Sequence, residues 1–211
     1  MLENKYESDR SGNQMITMTM KNMNNTWKAR LWTAFLLAGL MNISFFLSPT
    51  YAVNVSIGDK YGGGIVFYIL QPGDSGYDPG EQHGLIAAVE DQGRCVAWHF
   101  ITSQEIGGLK TEIGAGRTNT AAILAQSGHV ASAAKLCADY VYDGVSDWYL
   151  PSRDELQKMF QNKAVVCGFC DAHWSSSEAG PADVWVNSDT GSKGHYHMKS
   201  IGINVRAIRY Y

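Results

Sequence analysis

The chain has 211 residues, enough for one domain of ordinary size, and 17 lysines and arginines face 20 aspartates and glutamates. The formal net charge is −3, and no basic stripe stands out. This balance argues against a nucleic-acid-binding protein, because contacts to phosphates supply much of that affinity.

The segment 1–52 has the pattern of an export signal. Basic residues that include Lys28 and Arg30 precede an almost wholly apolar run at 31–47, and small residues follow it up to Ala52. This order predicts a Sec-type signal peptide cleaved after Ala52, and hence a secreted, periplasmic or cell-surface protein. The run is also close to the ~18 residues of a membrane span, so an uncleaved leader would act as an anchor.

The remaining segment, 53–211, is predicted to be the folded domain. Five basic and three acidic residues lie in the leader, which leaves 12 basic and 17 acidic residues and a net charge of −5. A glycine turn at 62–64 leads into a predicted buried strand, and a second apolar strand is predicted at 85–89. The acidic loop at 71–84 fits no calcium-loop spacing, which favours a solvated loop.

The middle of the domain is predicted to be helical. A glycine- and threonine-rich connection at 103–117 lacks a nucleotide-binding fingerprint, and Thr118 or Asn119 is predicted to cap the helix that follows. Gly128 is predicted to divide this region into two helices. The three- and four-residue spacing of apolar residues places Cys137 on the buried face.

The stretch DWYLPSRDELQKMF, at 147–160, predicts the start of another helix. Pro151 favours an extended residue before it, Ser152 is placed to cap the helix, and Glu155 completes a capping box. A catalytic carboxylate pair would be the alternative. Capping already explains the spacing, so we predict a structural role for these carboxylates.

The last part of the domain is predicted to form strands joined by a hairpin turn at 189–191. Val184 alternates with Trp185 in the first of them. His195 and His197 share one face of a later strand, but no third ligand is visible in the sequence. We therefore predict neither a metal site nor a cofactor.

The four cysteines are Cys95, Cys137, Cys167 and Cys170. An even number in an exported chain predicts disulfides, and four cysteines allow three pairings. The spacing of Cys167 and Cys170 is also that of a zinc knuckle or a redox pair. No second CxxC accompanies it, and the motif lies in a predicted loop, which favours a disulfide.

Several segments in this order resemble the bacterial DUF1566 family, also called the Lcl C-terminal domain family. They are IGDKYGGGIVFYI, GLIAAVEDQG, GRTNTAAI, AAKLCADY, DWYLPSRDEL, HWSSSE and VRAIR. The resemblance implies an α+β, C-type-lectin-like fold, with two helices packed on antiparallel sheets and long irregular loops. It also implies ligand binding at a surface, and some relatives bind sulfated polysaccharides.

Two landmarks of related proteins are missing from the sequence. No EPN, QPD or WND triplet is present, so the calcium-dependent sugar site of C-type lectins is not supported. The spacing of Cys167 and Cys170 does not match the copper-binding cysteine pair of formylglycine-generating enzymes, which share that fold.

We therefore predict a non-enzymatic recognition or adhesion module that binds a glycan, which includes sulfated polysaccharides, or a cell-surface protein. Lys193, Lys199, Arg206 and Arg209 would together meet a sulfated sugar. The candidate contact residues are aromatic and polar residues of the late strands: Trp174, Trp185, Asn187, Lys193, His195, Tyr196, His197 and Lys199.

Two other functions remain open. An enzyme would rely on His99, Asp147 and Glu155, although no spacing unites these three residues. A structural component of the envelope or of a surface appendage would be recognised by its self-association.

Overall fold

Two sheets and three helices are present in the part of the chain that the computed structural model describes, residues 54–166, 171–187 and 195–211. The predicted α+β class is confirmed. The helices are α1 (Gly116–Leu124), α2 (Ala133–Ala138) and α3 (Arg153–Gln161). The strands are β1 (Lys60–Tyr61), β2 (Gly64–Ile69), β3 (Gly84–Ala88), β4 (Gly93–Val96), β5 (His173–Glu178), β6 (Asp183–Asn187), β7 (His195–Met198), β8 (Ile203–Val205) and β9 (Ile208–Tyr210).

The first sheet has the strand order β1-β2-β3-β9, and its neighbouring strands are antiparallel. The turn between β1 and β2 uses Gly62 and Gly63 with positive φ angles of 53° and 83°, a conformation that favours glycine. The predicted glycine turn and both predicted early strands are therefore confirmed.

The second sheet has the order β4-β8-β5-β6-β7 and is mixed, because β5 runs parallel to β8. The prediction of purely antiparallel sheets is wrong at this pairing. β5 lies in the middle of the sheet, and each of its residues from His173 to Ser177 is buried. The predicted turn at 189–191 lies outside the described residues, but β6 and β7 on either side of it pair antiparallel.

The boundaries of the helices agree with the sequence-based predictions only in part. Gly128, with a φ of 77°, lies between α1 and α2, so the predicted division into two helices is confirmed. The predicted cap of α1 is wrong, because the residue at its N-cap is Ala115 and no side chain caps the helix there. With α3, the described residues contain three helices, as the sequence pattern predicts, whereas the family resemblance implied two.

The predicted capping box of α3 is confirmed. The Ser152 hydroxyl accepts a hydrogen bond from the Glu155 backbone N–H, and the Glu155 carboxylate accepts one from the Ser152 backbone N–H. Leu156, Met159 and Phe160 are buried on the inner face of the helix. Local capping and this apolar stripe therefore fix both the start and the rotation of α3.

Among the described residues, no helix is long and apolar enough to cross a bilayer. The predicted apolar run at 31–47 and the cleavage site after Ala52 lie outside those residues, so both remain predictions.

Candidate functional site

A groove of about 540 Å³ lies between α3 and β6, and we call it the α3–β6 groove. It is lined by Ile113, Arg153, Asp154, Gln157, Lys158, Gln161 and Trp185. Most of these side chains are polar, and one large aromatic ring lies among them.

The outer face of α3 forms one wall of the groove. Arg153, Gln157 and Gln161 follow one another at intervals of four residues, which places them on one side of a helix. The opposite side of the helix is anchored in the core. The wall is therefore rigid, although each of its polar side chains ends near solvent.

The strand β6 supplies the aromatic side of the groove. Val184 and Val186 are buried while Trp185 between them is half-buried, as expected for a strand with one face on the core. Tyr196 on β7 lies directly opposite Trp185, and their rings meet edge to face at 6.0 Å between centroids. Two of the predicted contact residues are thus brought together on the outer face of this hairpin.

Two cations lie in the α3–β6 groove. The Arg153 guanidinium lies 5.4 Å from the centre of the Trp185 ring and also pairs with Asp154 at 2.8 Å. The Lys158 ammonium lies 4.7 Å from the centre of the Tyr68 ring. With one carboxylate and two cations, the groove carries a small positive charge on a domain that is acidic as a whole.

Three of the candidate contact residues are buried, so they are not exposed to a ligand at the surface. Trp174 belongs to the central strand β5, and its indole N–H donates to the Val96 carbonyl at 2.7 Å. Lys199 is fully buried and pairs with Glu178 at 2.5 Å. Asn187 is only 8% exposed.

The predicted cluster of cations for a sulfated sugar is not formed by the residues that the structure describes. Arg206 is buried and pairs with Asp91 at 2.7 Å, and Arg209 pairs with Asp147 at 2.6 Å. Both arginines have carboxylate partners that are distant in the sequence. Lys193, which belongs to the same prediction, lies outside the described residues.

The two histidines of β7 lie at the edge of the second sheet. His195 is half-buried and His197 is exposed, opposite Val186 and Val184 respectively. They share one face of the strand, as predicted. Among the described residues, no group of three or more histidine, cysteine or acidic side chains is arranged to hold a metal ion.

Cys95 is an exposed free thiol and Cys137 is a buried free thiol. The prediction of a disulfide is therefore wrong for these two residues. Cys137 packs on the inner face of α2, and burial raises the pKa of its thiol far above the ordinary value. Cys167 and Cys170 lie outside the described residues.

The three enzyme candidates have separate structural partners. His99 is buried against His129, and Asp147 pairs with Arg117 and Arg209. Glu155 is fully buried, and burial raises its pKa to about 7 although hydrogen bonds from the backbone N–H groups of Ser152 and Gly114 lower it. A carboxyl group enclosed in this way has no open face for a substrate.

The polar residues of the α3–β6 groove were not predicted from the sequence. Arg153, Gln157, Lys158 and Gln161 all lie in the helix that the capping box predicts. Their spacing of three and four residues is the signal that would have placed them on one outer face.

No protein-family model matches the chain, and no curated protein matches it. A fimbrial protein from Bacteroides ovatus ATCC 8483, known from a crystal structure, aligns with a TM-score of 0.44 and 14% identity. The alignment covers 76% of this chain and 46% of that chain, so this chain spans less than half of the fimbrial protein.

Proposed function

We propose that this chain is a non-enzymatic recognition module that binds a glycan in the α3–β6 groove. The observation that carries the proposal is the Trp185–Tyr196 pair beside a row of amide and charged side chains. An aromatic face packs against the apolar C–H face of a sugar ring, while the polar side chains hydrogen-bond to its hydroxyl groups.

The charges of the groove favour an acidic glycan. Arg153 and Lys158 are the cations that line it, and their positions are supported by ring contacts with Trp185 and Tyr68. A planar guanidinium binds carboxylate or sulfate groups through paired hydrogen bonds. The sulfated sugars expected from the sequence therefore have a binding site here, instead of at the arginines of the last strands.

The resemblance to the DUF1566 family, the C-type-lectin-like fold and export to the cell surface are parts of the same proposal. The α+β class and the order of strands and helices are compatible with them. A glycan-binding module with this set of contacts requires no nucleophile, metal ion or cofactor.

A glycan array followed by titration of the best-bound sugar tests the proposal. We expect Trp185→Ala to weaken binding by about tenfold or more, since central aromatic contacts typically contribute more than ~1 kcal/mol. Arg153→Gln should weaken the binding of acidic sugars more than that of neutral ones. Added salt should likewise weaken the binding of acidic sugars more than that of neutral sugars.

Tyr77→Ala is the matched control, because Tyr77 is an exposed aromatic residue on the acidic loop far along the chain from α3. It should leave the affinity unchanged. The proposal is contradicted if the protein binds no glycan on the array and is not retained by a heparin column at low salt. It is also contradicted if the Trp185→Ala and Tyr77→Ala variants bind the glycan equally well.

A further inference from the structure

Two histidines meet beneath an apolar surface on another part of the molecule. The His99 ring is fully buried, and its centroid lies 5.0 Å from that of the His129 ring. His99 follows β4, whereas His129 precedes α2. These two segments also pair through their backbones, since the Phe100 N–H donates to the Ala131 carbonyl at 3.2 Å.

The hydrogen bonds of His99 require a neutral ring. The backbone N–H of Ile101 donates to His99 Nδ1 at 2.8 Å, which places the ring proton on Nε2. Nε2 is buried and has no hydrogen-bond partner in the described part of the chain. A second proton on the ring would occupy Nδ1. The Nδ1–H group and the Ile101 N–H would then both be donors, and the hydrogen bond between them would be lost.

The charges around the pair also oppose protonation. Burial, His129 and Lys199 hold the pKa of His99 below its ordinary value, while Glu178 acts in the opposite direction. Glu178 is already paired with Lys199 at 2.5 Å. Burial and Lys135 of α2 likewise lower the pKa of His129, whose Nε2 lies 2.9 Å from the Ser132 hydroxyl.

The joined segments form the walls of an apolar groove of about 330 Å³. Phe100 on one side is 74% exposed, and Val130 on the other is 69% exposed. Leu136 of α2 also lines the groove. A separation of the two segments would therefore change its shape and expose further apolar surface.

We propose that His99 and His129 form an acid-sensitive switch: protonation of His99 breaks its bond to Ile101 and releases the Phe100 segment from the Val130 segment. This switch is independent of the α3–β6 groove. The open form takes up the proton, so acidification through the ordinary range of histidine favours opening.

Hydrogen exchange of the full-length protein, read by mass spectrometry between about pH 7.5 and about pH 5.5, tests the switch. After correction for the intrinsic rate, the protection of Phe100 and Ile101 should fall by up to about tenfold for each pH unit below about 6.5. The strand β2 should keep its protection and serves as the internal reference.

Three variants separate this switch from general acid sensitivity. His99→Gln should show protection at Phe100 that no longer depends on pH. His129→Gln removes a second ring whose pKa the closed form lowers, so the loss of protection between the two pH values should be smaller. His197→Gln, at an exposed site on β7, should behave like the unaltered protein.

The inference is overturned if the unaltered protein keeps the same corrected protection of Phe100 at both pH values. It is equally overturned if His99→Gln loses as much protection as the unaltered protein. Should His99→Gln fail to fold, His129→Gln decides, because an unchanged loss of protection between the two pH values would show that the two rings are not coupled.

Discussion

The carboxyl group of Glu155 is an acidic residue with a structural role inside the domain. One of its oxygens accepts the Ser152 N–H at 2.7 Å, and the other accepts the Gly114 N–H at 3.0 Å. The backbone at Gly116 lies so close that a β-carbon there would collide with the carboxylate. Glu155 therefore joins the start of α3 to the loop before α1, and the Tyr149 hydroxyl lies 3.5 Å from the same carboxylate.

Glu155 should make the stability of the protein depend on pH. Its pKa of about 7 lies above the ordinary value of 4.5, so the folded state binds the proton more tightly than the unfolded state. The free energy of unfolding should fall as the pH rises from 4.5 to 7, by roughly 3 kcal/mol from this group alone. Chemical denaturation across this range measures the effect.

Glu155→Gln is the control, because glutamine has nearly the same shape and does not titrate. The difference in unfolding free energy between the two proteins should change steadily over this pH range, whatever other groups contribute. A difference that stays constant with pH would show that the carboxyl group has the same pKa in the folded and the unfolded state.

The helix α1 differs from α3 in how its polar side chains are used. Asn119 was expected to cap α1, but its side chain instead binds the loop that precedes the helix. It accepts a hydrogen bond from the Lys110 N–H at 2.9 Å and donates one to the Lys110 carbonyl at 2.7 Å. A third bond, also donated by the amide nitrogen, reaches the Ser176 hydroxyl of β5 at 3.2 Å. This buried amide thus holds the long connection against the second sheet.

Asn119→Ala should destabilise the protein by roughly 2–3 kcal/mol, since it removes three hydrogen bonds, although the Lys110 carbonyl keeps its bond from the Ser177 hydroxyl. Thr118→Ala is the neighbouring control, because the Thr118 hydroxyl bonds only to the Ala115 carbonyl of its own helix. Thr118→Ala should lower the free energy of unfolding by less than about 1 kcal/mol. Equal losses of unfolding free energy in the two variants would contradict this role of Asn119.

Across the whole molecule, local patterns in the sequence predicted local structure well. The capping box of α3 and the outward position of Trp185 both depend on neighbours a few residues away. Trp174 could not be placed from the sequence, because a tryptophan in a strand suits either a sugar contact or the core, and only the folded chain shows that β5 is central and buried. The burial of Lys199 was not predicted, because its partner Glu178 lies 21 residues earlier and contacts it only in the folded chain.

Asp91 joins distant parts of the chain in the same way. It follows β3, and its carboxylate accepts hydrogen bonds from Arg206 at 2.7 Å and His173 at 3.0 Å. Burial raises the pKa of Asp91, but the bond from His173 and the charge of Arg206 outweigh it, so the pKa lies below its ordinary value. This contribution to stability is present at neutral pH and is lost as the pH falls through the lowered pKa.

Asp91→Asn should therefore destabilise the whole domain, by about 3–5 kcal/mol, because it removes one partner of a buried ion pair and leaves the Arg206 charge in the interior. Asp139→Asn is the matched control: Asp139 pairs with Lys135 on the surface, where its side chain is 60% exposed. Asp139→Asn should lower the free energy of unfolding by at most about 1 kcal/mol. Unfolding in denaturant near neutral pH compares the two, and a small loss for Asp91→Asn would show that the two sheets are held together without this network.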